Sequence, residues 1–167
     1  MERVVILGSG GAGKSTLARL LGDTLGLPVI HLDREHWRPG WIETPRDEWA
    51  ERVNELVAGD RWVIDGNYGG TMEARLRACD AAIFLDLPRS LCLWRVARRW
   101  QRYRGRARPD MTPGCNERLD WTFMRWIWNY PRLHRPGVMQ QLATLGARQR
   151  VVHLRSRREV REFMATL

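Results

Sequence analysis

Arg3-Val4-Val5-Ile6-Leu7-Gly8-Ser9-Gly10-Gly11-Ala12-Gly13-Lys14-Ser15-Thr16 is the stretch whose reading decides the fold. Residues 3–7 are a short β-branched run and read as a buried strand. Residues 14–25 place Leu17, Leu20, Leu21 and Leu25 at helical spacing. The segment between them fits G-x-x-x-x-G-K-[ST] in the strand–turn–helix setting the pattern requires. Glycine lets the backbone turn its N–H groups inward, and those groups, with the positive helix end, hold phosphate oxygens. Gly8, Ser9, Gly10, Gly11, Ala12, Gly13, Lys14, Ser15 and Thr16 are therefore the candidate cradle for a nucleoside triphosphate, ATP. Lys14 is set to reach the β- and γ-phosphates, and the Ser15 hydroxyl to ligate Mg²⁺. Of the 28 basic residues only Lys14 is a lysine. A chain that otherwise uses arginine keeps a compact ammonium where a phosphate cradle favours one.

Outward from this stretch, strands and helices alternate. Further strands are expected at 28–32, 62–65, 81–87 and 150–154. Helices are expected at 46–58, 72–78, 90–103, 117–130, 138–145 and 157–166. Pro131 is expected to end or kink the late helix, and residues 105–114, with two prolines and two glycines, read as a mobile loop. Short apolar strands alternating with helices imply an α/β fold with a parallel sheet covered on both faces.

The chain has 167 residues, 44% of them hydrophobic, enough for one domain with a core. No apolar run reaches membrane-spanning length, and the N-terminus is too soon broken by glycine for a secretory signal. Three scattered cysteines, Cys79, Cys92 and Cys115, suggest neither a disulfide framework nor a zinc site. A reducing, cytoplasmic setting is expected. The net charge of +9 is uneven: residues 1–90 hold 11 basic and 14 acidic groups, and residues 91–167 hold 17 and 5. That surplus points to an anionic partner.

In an open parallel sheet, ligands bind beyond the carboxyl ends of the strands. Asp33, Asp65 and Asp86 fall there. Each is also a normal turn or cap residue. Asp65 is the candidate for the Mg²⁺ water shell, and Asp33 the candidate to orient and deprotonate an acceptor hydroxyl. Asp86 is ambiguous between the site and a helix cap. His36 is either part of an acceptor pocket or simply packed. Trp37 and Trp41 flank Pro39-Gly40 and are placed to wall such a pocket.

Seven arginines lie between Arg95 and Arg108 with no acid among them, and Trp94, Trp100 and Tyr103 are interleaved. Three readings compete: a lid supplying arginines to a transferred phosphoryl group, a nucleic-acid surface, and a solvated helix face. A helix that leaves the fourth strand and runs into a Gly/Pro-bearing loop favours the lid, with Arg95, Arg99 and Arg108 as its candidate catalytic residues.

The glycine loop, Asp65-Gly66-Asn67, Phe84-Leu85-Asp86-Leu87-Pro88 and the arginine helix together resemble the adenylate-kinase-like P-loop kinases. The segments His31-Leu32-Asp33, Trp62-Val63-Ile64-Asp65-Gly66-Asn67-Tyr68, Arg108-Pro109-Asp110-Met111, Gly114-Cys115 and Trp126-Ile127-Trp128 are most similar to the DNA topology modulation proteins of that group. The resemblance spans nearly the whole chain. It implies a P-loop NTPase fold with a five-stranded parallel sheet in order 2-3-1-4-5. It also implies one domain over 1–167 with a helical lid near 99–120, and ATP with Mg²⁺ as donor. An adenine pocket is implied around Arg155, Ser156 and Arg157. Adenylate kinases carry Asp-Gly-Phe-Pro-Arg where this chain has Asp65-Gly66-Asn67-Tyr68-Gly69, so their monophosphate site does not carry over. In gluconate- and shikimate-kinase-like relatives an aspartate after the second strand contacts a hydroxylated acceptor, and Asp33 falls there.

Two functions from different classes are thus expected to compete. One is a kinase moving the γ-phosphate of ATP to a small-molecule acceptor: a nucleoside, a nucleotide or a hydroxylated metabolite. The other is an ATP-dependent, DNA-binding, topology-modulating regulator, for which nucleic acid is the partner.

Overall fold

The computed structural model describes all 167 residues. Five strands form one parallel sheet in the order β2-β5-β1-β6-β7: β1 (Arg3–Gly8), β2 (Val29–His31), β5 (Trp62–Asp65), β6 (Ala81–Leu85) and β7 (Arg150–Leu154). Counting these strands alone, the order is 2-3-1-4-5, as expected. The central strands are buried almost end to end because helices cover both faces. Alternation along each strand then divides the side chains between two cores. Val4 and Ile6 of β1, with Ala81, Ile83 and Leu85 of β6, pack with Leu17, Leu21, Val96, Ile127 and Phe163. Val5 and Leu7, with Ala82 and Phe84, pack with Trp49, Val53, Leu76, Val138 and Leu142 on the other face.

The first layer is made by α1 (Lys14–Leu25), α5 (Arg89–Tyr103), α6 (Trp121–Leu133) and α8 (Arg157–Ala165); the second by α3 (Arg46–Val57), α4 (Met72–Ala78) and α7 (Arg135–Ala143).

Several boundaries differ from the sequence expectation. The second strand stops at His31, and Leu32–His36 form a short helix, α2. Leu32 is fully buried in the second core, so the chain turns there instead of extending. Between α2 and α3, β3 (Trp37–Arg38) and β4 (Ile42–Glu43) make an antiparallel hairpin, with Gly40 and Trp41 both at positive φ in the turn. Two-residue strands are too short to leave an alternation pattern.

The fourth sheet strand ends at Leu85, two residues early. The late helix begins at Trp121 rather than 117, because Asp120 caps it, accepting from Thr122 N (2.8 Å) and Phe123 N (3.1 Å). Pro131 lies inside α6, two residues from its end, so the helix continues to Leu133. Pro136 fits the first turn of α7, which starts three residues before the expected 138.

No helix is long and apolar enough to cross a membrane. The three cysteines are free and buried. If the Asp120 carboxylate sets the start of α6, Asp120→Ala should cost about 1 kcal/mol of unfolding free energy in urea titration.

Candidate active site

The glycine loop is pressed between β6 and α5. Gly8 has φ +147°, and a Cβ there would lie 2.6 Å from the Leu85 carbonyl oxygen. At Gly11, φ +75°, it would lie 2.3 Å from the Cys92 carbonyl oxygen. No other residue type fits either position. Asn67 clamps the loop's root: its Oδ1 accepts from Gly8 N (3.0 Å) and its Nδ2 donates to Gly8 O (2.8 Å). The N–H groups of Gly10, Gly11 and Gly13 take no main-chain acceptor. These open donors stand where the sequence leads one to expect an anion nest.

Lys14 Nζ donates to Gly8 O (2.9 Å) and Ser9 O (3.0 Å). Burial pushes its pKa down, Asp33 and Asp65 pull it back up, and Arg99 lowers it further. Gly10 through Thr16 line a cleft of about 1340 Å³. Gly8 and Ser9 do not line it; they lie beneath the loop as its support.

Asp65 ends β5 and is 4% exposed. Its Oδ2 accepts from Ser15 Oγ (2.7 Å), and its Oδ1 lies 2.5 Å from His31 Nδ1. A hydroxyl and a carboxylate, both hard oxygen donors, stand together beside the nest, as an Mg²⁺ site requires. The segment after α5 adds Asp110, a residue the sequence reading did not place in the site. Burial pushes its carboxyl up, yet Arg108, Ser15 and His31 outweigh that and hold it below the usual range.

Across the cleft, Asp33 sits in α2. Tyr68 donates its hydroxyl to Asp33 Oδ1 (2.8 Å), and Arg108 Nη2 lies 3.8 Å from Asp33 Oδ2. Trp37 and Trp41 of the hairpin wall this end, with Glu43 beside them. His36 does not face the cleft; it is packed among Trp37, Trp49 and Tyr68 at centroid distances of 5.2, 4.7 and 4.7 Å.

The loop carrying Asn67 and Tyr68 is held by a fully buried guanidinium. Arg75 donates to the carbonyls of Gly66, Asn67, Tyr68 and Thr71, and burial lowers its pKa to about 10. Local patterning gives no hint of this, since Arg75 occupies an ordinary position on a short helix.

The seven arginines divide. Arg95 Nη1 donates to the carbonyls of Gly11 (3.3 Å) and Ala12 (2.8 Å), so it braces the loop. Arg99 and Arg108 share one carboxylate: Arg99 Nε lies 2.8 Å from Glu117 Oε1, and Arg108 Nε 2.9 Å from Glu117 Oε2. Arg98, Arg102 and Arg104 stack over Trp94, Tyr103 and Trp100. Glu117 was expected only as the start of a helix.

At the opposite end, Arg157 and its neighbour Arg161 line the cleft. Ser156 and Arg155 do not: Ser156 caps α8, accepting from Glu159 N (3.1 Å), and the Arg155 N–H donates to Glu159 (2.8 Å). The candidate adenine end thus moves from the loop after β7 to the first turns of α8. Asp86 does not cap α5. It pairs with Arg135 Nε and His153 Nε2, each at 2.8 Å.

No family model and no curated protein sequence matches the chain. Solved structures do. A shikimate kinase from Acinetobacter baumannii in complex with shikimate superposes with a TM-score of 0.66 at 16% identity, over 99% of this chain and 90% of that one. A shikimate kinase from Bacteroides thetaiotaomicron gives 0.59 at 18%, over 99% and 95%. A gluconokinase from Sinorhizobium meliloti 1021 gives 0.53 at 18%, over 99% and 92%. The chain therefore shares the α/β fold of these shikimate kinases and gluconokinase over 99% of its length.

Burial among aromatic rings lowers the pKa of His36 against the opposing pull of Glu43 and Asp33. The unfolded chain takes up this proton near pH 6.5, before the folded one does. Stability is then lost as pH falls below about 6.5 and is retained above it. In urea titrations at pH 7.5 and 5.5, His36→Phe should lose less stability on acidification than the parent; equal losses would contradict this placement.

Proposed function

We propose that this chain is an ATP-dependent phosphotransferase acting on a small hydroxylated acceptor in the cytoplasm. One observation carries the reading: an open anion nest with Lys14, Ser15 and Asp65 faces Asp33 and the tryptophan wall across a single cleft. The neighbours described as shikimate kinase and gluconokinase share the fold, which supports the reading.

In this reading Lys14 leaves the carbonyls of Gly8 and Ser9 for the terminal phosphates, and the loop N–H groups hold the β-phosphate. Ser15 and Asp65 would hold Mg²⁺, which when bound neutralises phosphate oxygens. Asp33 orients the acceptor hydroxyl and takes its proton. The hydroxyl oxygen forms a bond to the γ-phosphorus as the bridging oxygen–γ-phosphorus bond breaks, and ADP leaves with that electron pair. Arg99 and Arg108 stabilise charge on the moving group. Arg157 lies at the nucleotide's base end. Residues 99–120 act as the lid over one domain.

The second reading, an ATP-dependent DNA-binding regulator like the topology modulation proteins, rests on the basic surplus after residue 90. The place of Arg99 and Arg108 at the cleft favours the kinase over it.

Transfer from γ-labelled ATP to nucleosides, nucleotides, sugars and hydroxy acids tests the proposal. One acceptor class should be labelled, and Asp33→Asn should lower kcat by about 10²–10⁴ with little change in the KM for ATP. No labelling of any class, together with salt-sensitive shifting of duplex DNA, would support the regulator instead.

A further inference from the structure

Glu117 has a carboxylate that is 4% exposed; its Oε1 accepts from Arg99 Nε at 2.8 Å, and its Oε2 lies 2.9 Å from Arg108 Nε, an ion-pair contact without hydrogen-bond alignment. Its backbone is fixed independently, since its N–H donates to Arg106 O at 2.9 Å and it bridges to Arg104. The side chain hydrogen-bonds Arg99 through its Nε and neutralises the neighbouring Arg108 by charge. This leaves the Nη groups of both arginines clear of Glu117. Those of Arg108 reach toward Asp33 at 3.8 Å and Asp110 at 3.4 Å. Arg99 lines the cleft near enough to Lys14 for its charge to lower the Lys14 pKa. One guanidinium thus stands on the donor side and the other on the acceptor side. Two cations held this close repel in a buried setting, and a shared carboxylate removes that repulsion.

We propose that Glu117 is a positioning residue that holds Arg99 and Arg108 as a pair flanking the transferring phosphoryl group. The inference rests on the phosphotransfer reading above. Charge spreads over the equatorial oxygens as the group moves, and donors already in place meet it without reorganisation. Without the carboxylate, Arg108 falls toward Asp110 and Asp33, and the pair comes apart. A purely stabilising ion triad would act differently: its loss would weaken folding and nucleotide binding together.

The test uses the full chain and water as acceptor. MgATP hydrolysis is followed for the parent, Glu117→Gln and Glu117→Asp. Calorimetry measures the affinities of MgADP and of MgADP with aluminium fluoride, a mimic of the transferring group. Glu117→Gln should lower the hydrolysis kcat by roughly tenfold to a hundredfold. Its KM for ATP and its MgADP affinity should stay within about twofold, while the aluminium-fluoride complex weakens by the same factor as kcat.

Glu117→Asp keeps the charge with a shorter reach, so it should fall between the two. If the glutamine variant does not fold, Glu117→Asp alone should show the same split at a smaller size. Parental turnover in the variants, or equal loss of MgADP and aluminium-fluoride affinity, would overturn the positioning role alone. A parent chain that does not bind MgATP would instead overturn the kinase reading on which the role rests.

Discussion

The ammonium of Lys14 is the interaction on which the site depends. It is half-buried, it is the chain's only lysine, and it is held by two loop carbonyls, those of Gly8 and Ser9. Burial disfavours its charge, so the position is tolerable only while acceptors surround it. Those carbonyls are present because the loop is pressed against Leu85 and Cys92, where glycine alone fits, and because Asn67 clamps Gly8 by both its groups. The parallel sheet serves this geometry: β1 delivers the loop, β5 delivers Asp65 and Asn67, and α5 closes over the back.

Around that cation the site balances charge. Asp33, Asp65 and Asp110 face Lys14, Arg99 and Arg108, and Glu117 ties the two arginines together. Arg75 performs a similar service out of sight. It gathers four carbonyls of residues 66–71, and that loop in turn fixes Gly8 through Asn67 and Asp33 through Tyr68. The chemistry-bearing groups are therefore set by partners one contact further back.

Much of this was legible in the sequence because it is local. The strand–glycine loop–helix is contiguous, the buried strands are continuous apolar runs, and aspartates at strand ends follow from topology. Ser15 with Asp65, and Trp37 with Trp41 on one wall, lie where that logic puts them. What escaped is long-range or too short to leave a period. The hairpin has two residues per strand, α2 has five residues, and Glu117 meets Arg99 across 18 positions. Arg95 shares the helical face expected of it, yet it turns to the loop carbonyls; position on a helix does not say what a long side chain reaches. The resemblance puts Ser156 in an adenine pocket, and Asp86 is ambiguous in sequence; their partners Glu159, Arg135 and His153 make both of them support.

Calorimetry of ATP against AMP, with Mg²⁺, in the parent and in Lys14→Met tests the central claim most directly. If the ammonium moves from its carbonyls to terminal phosphates, the parent should prefer ATP by at least about a hundredfold, roughly 2.7 kcal/mol, and Lys14→Met should lose most of that preference. Equal affinity of the parent for ATP and AMP, or an undiminished preference in Lys14→Met, would contradict the account.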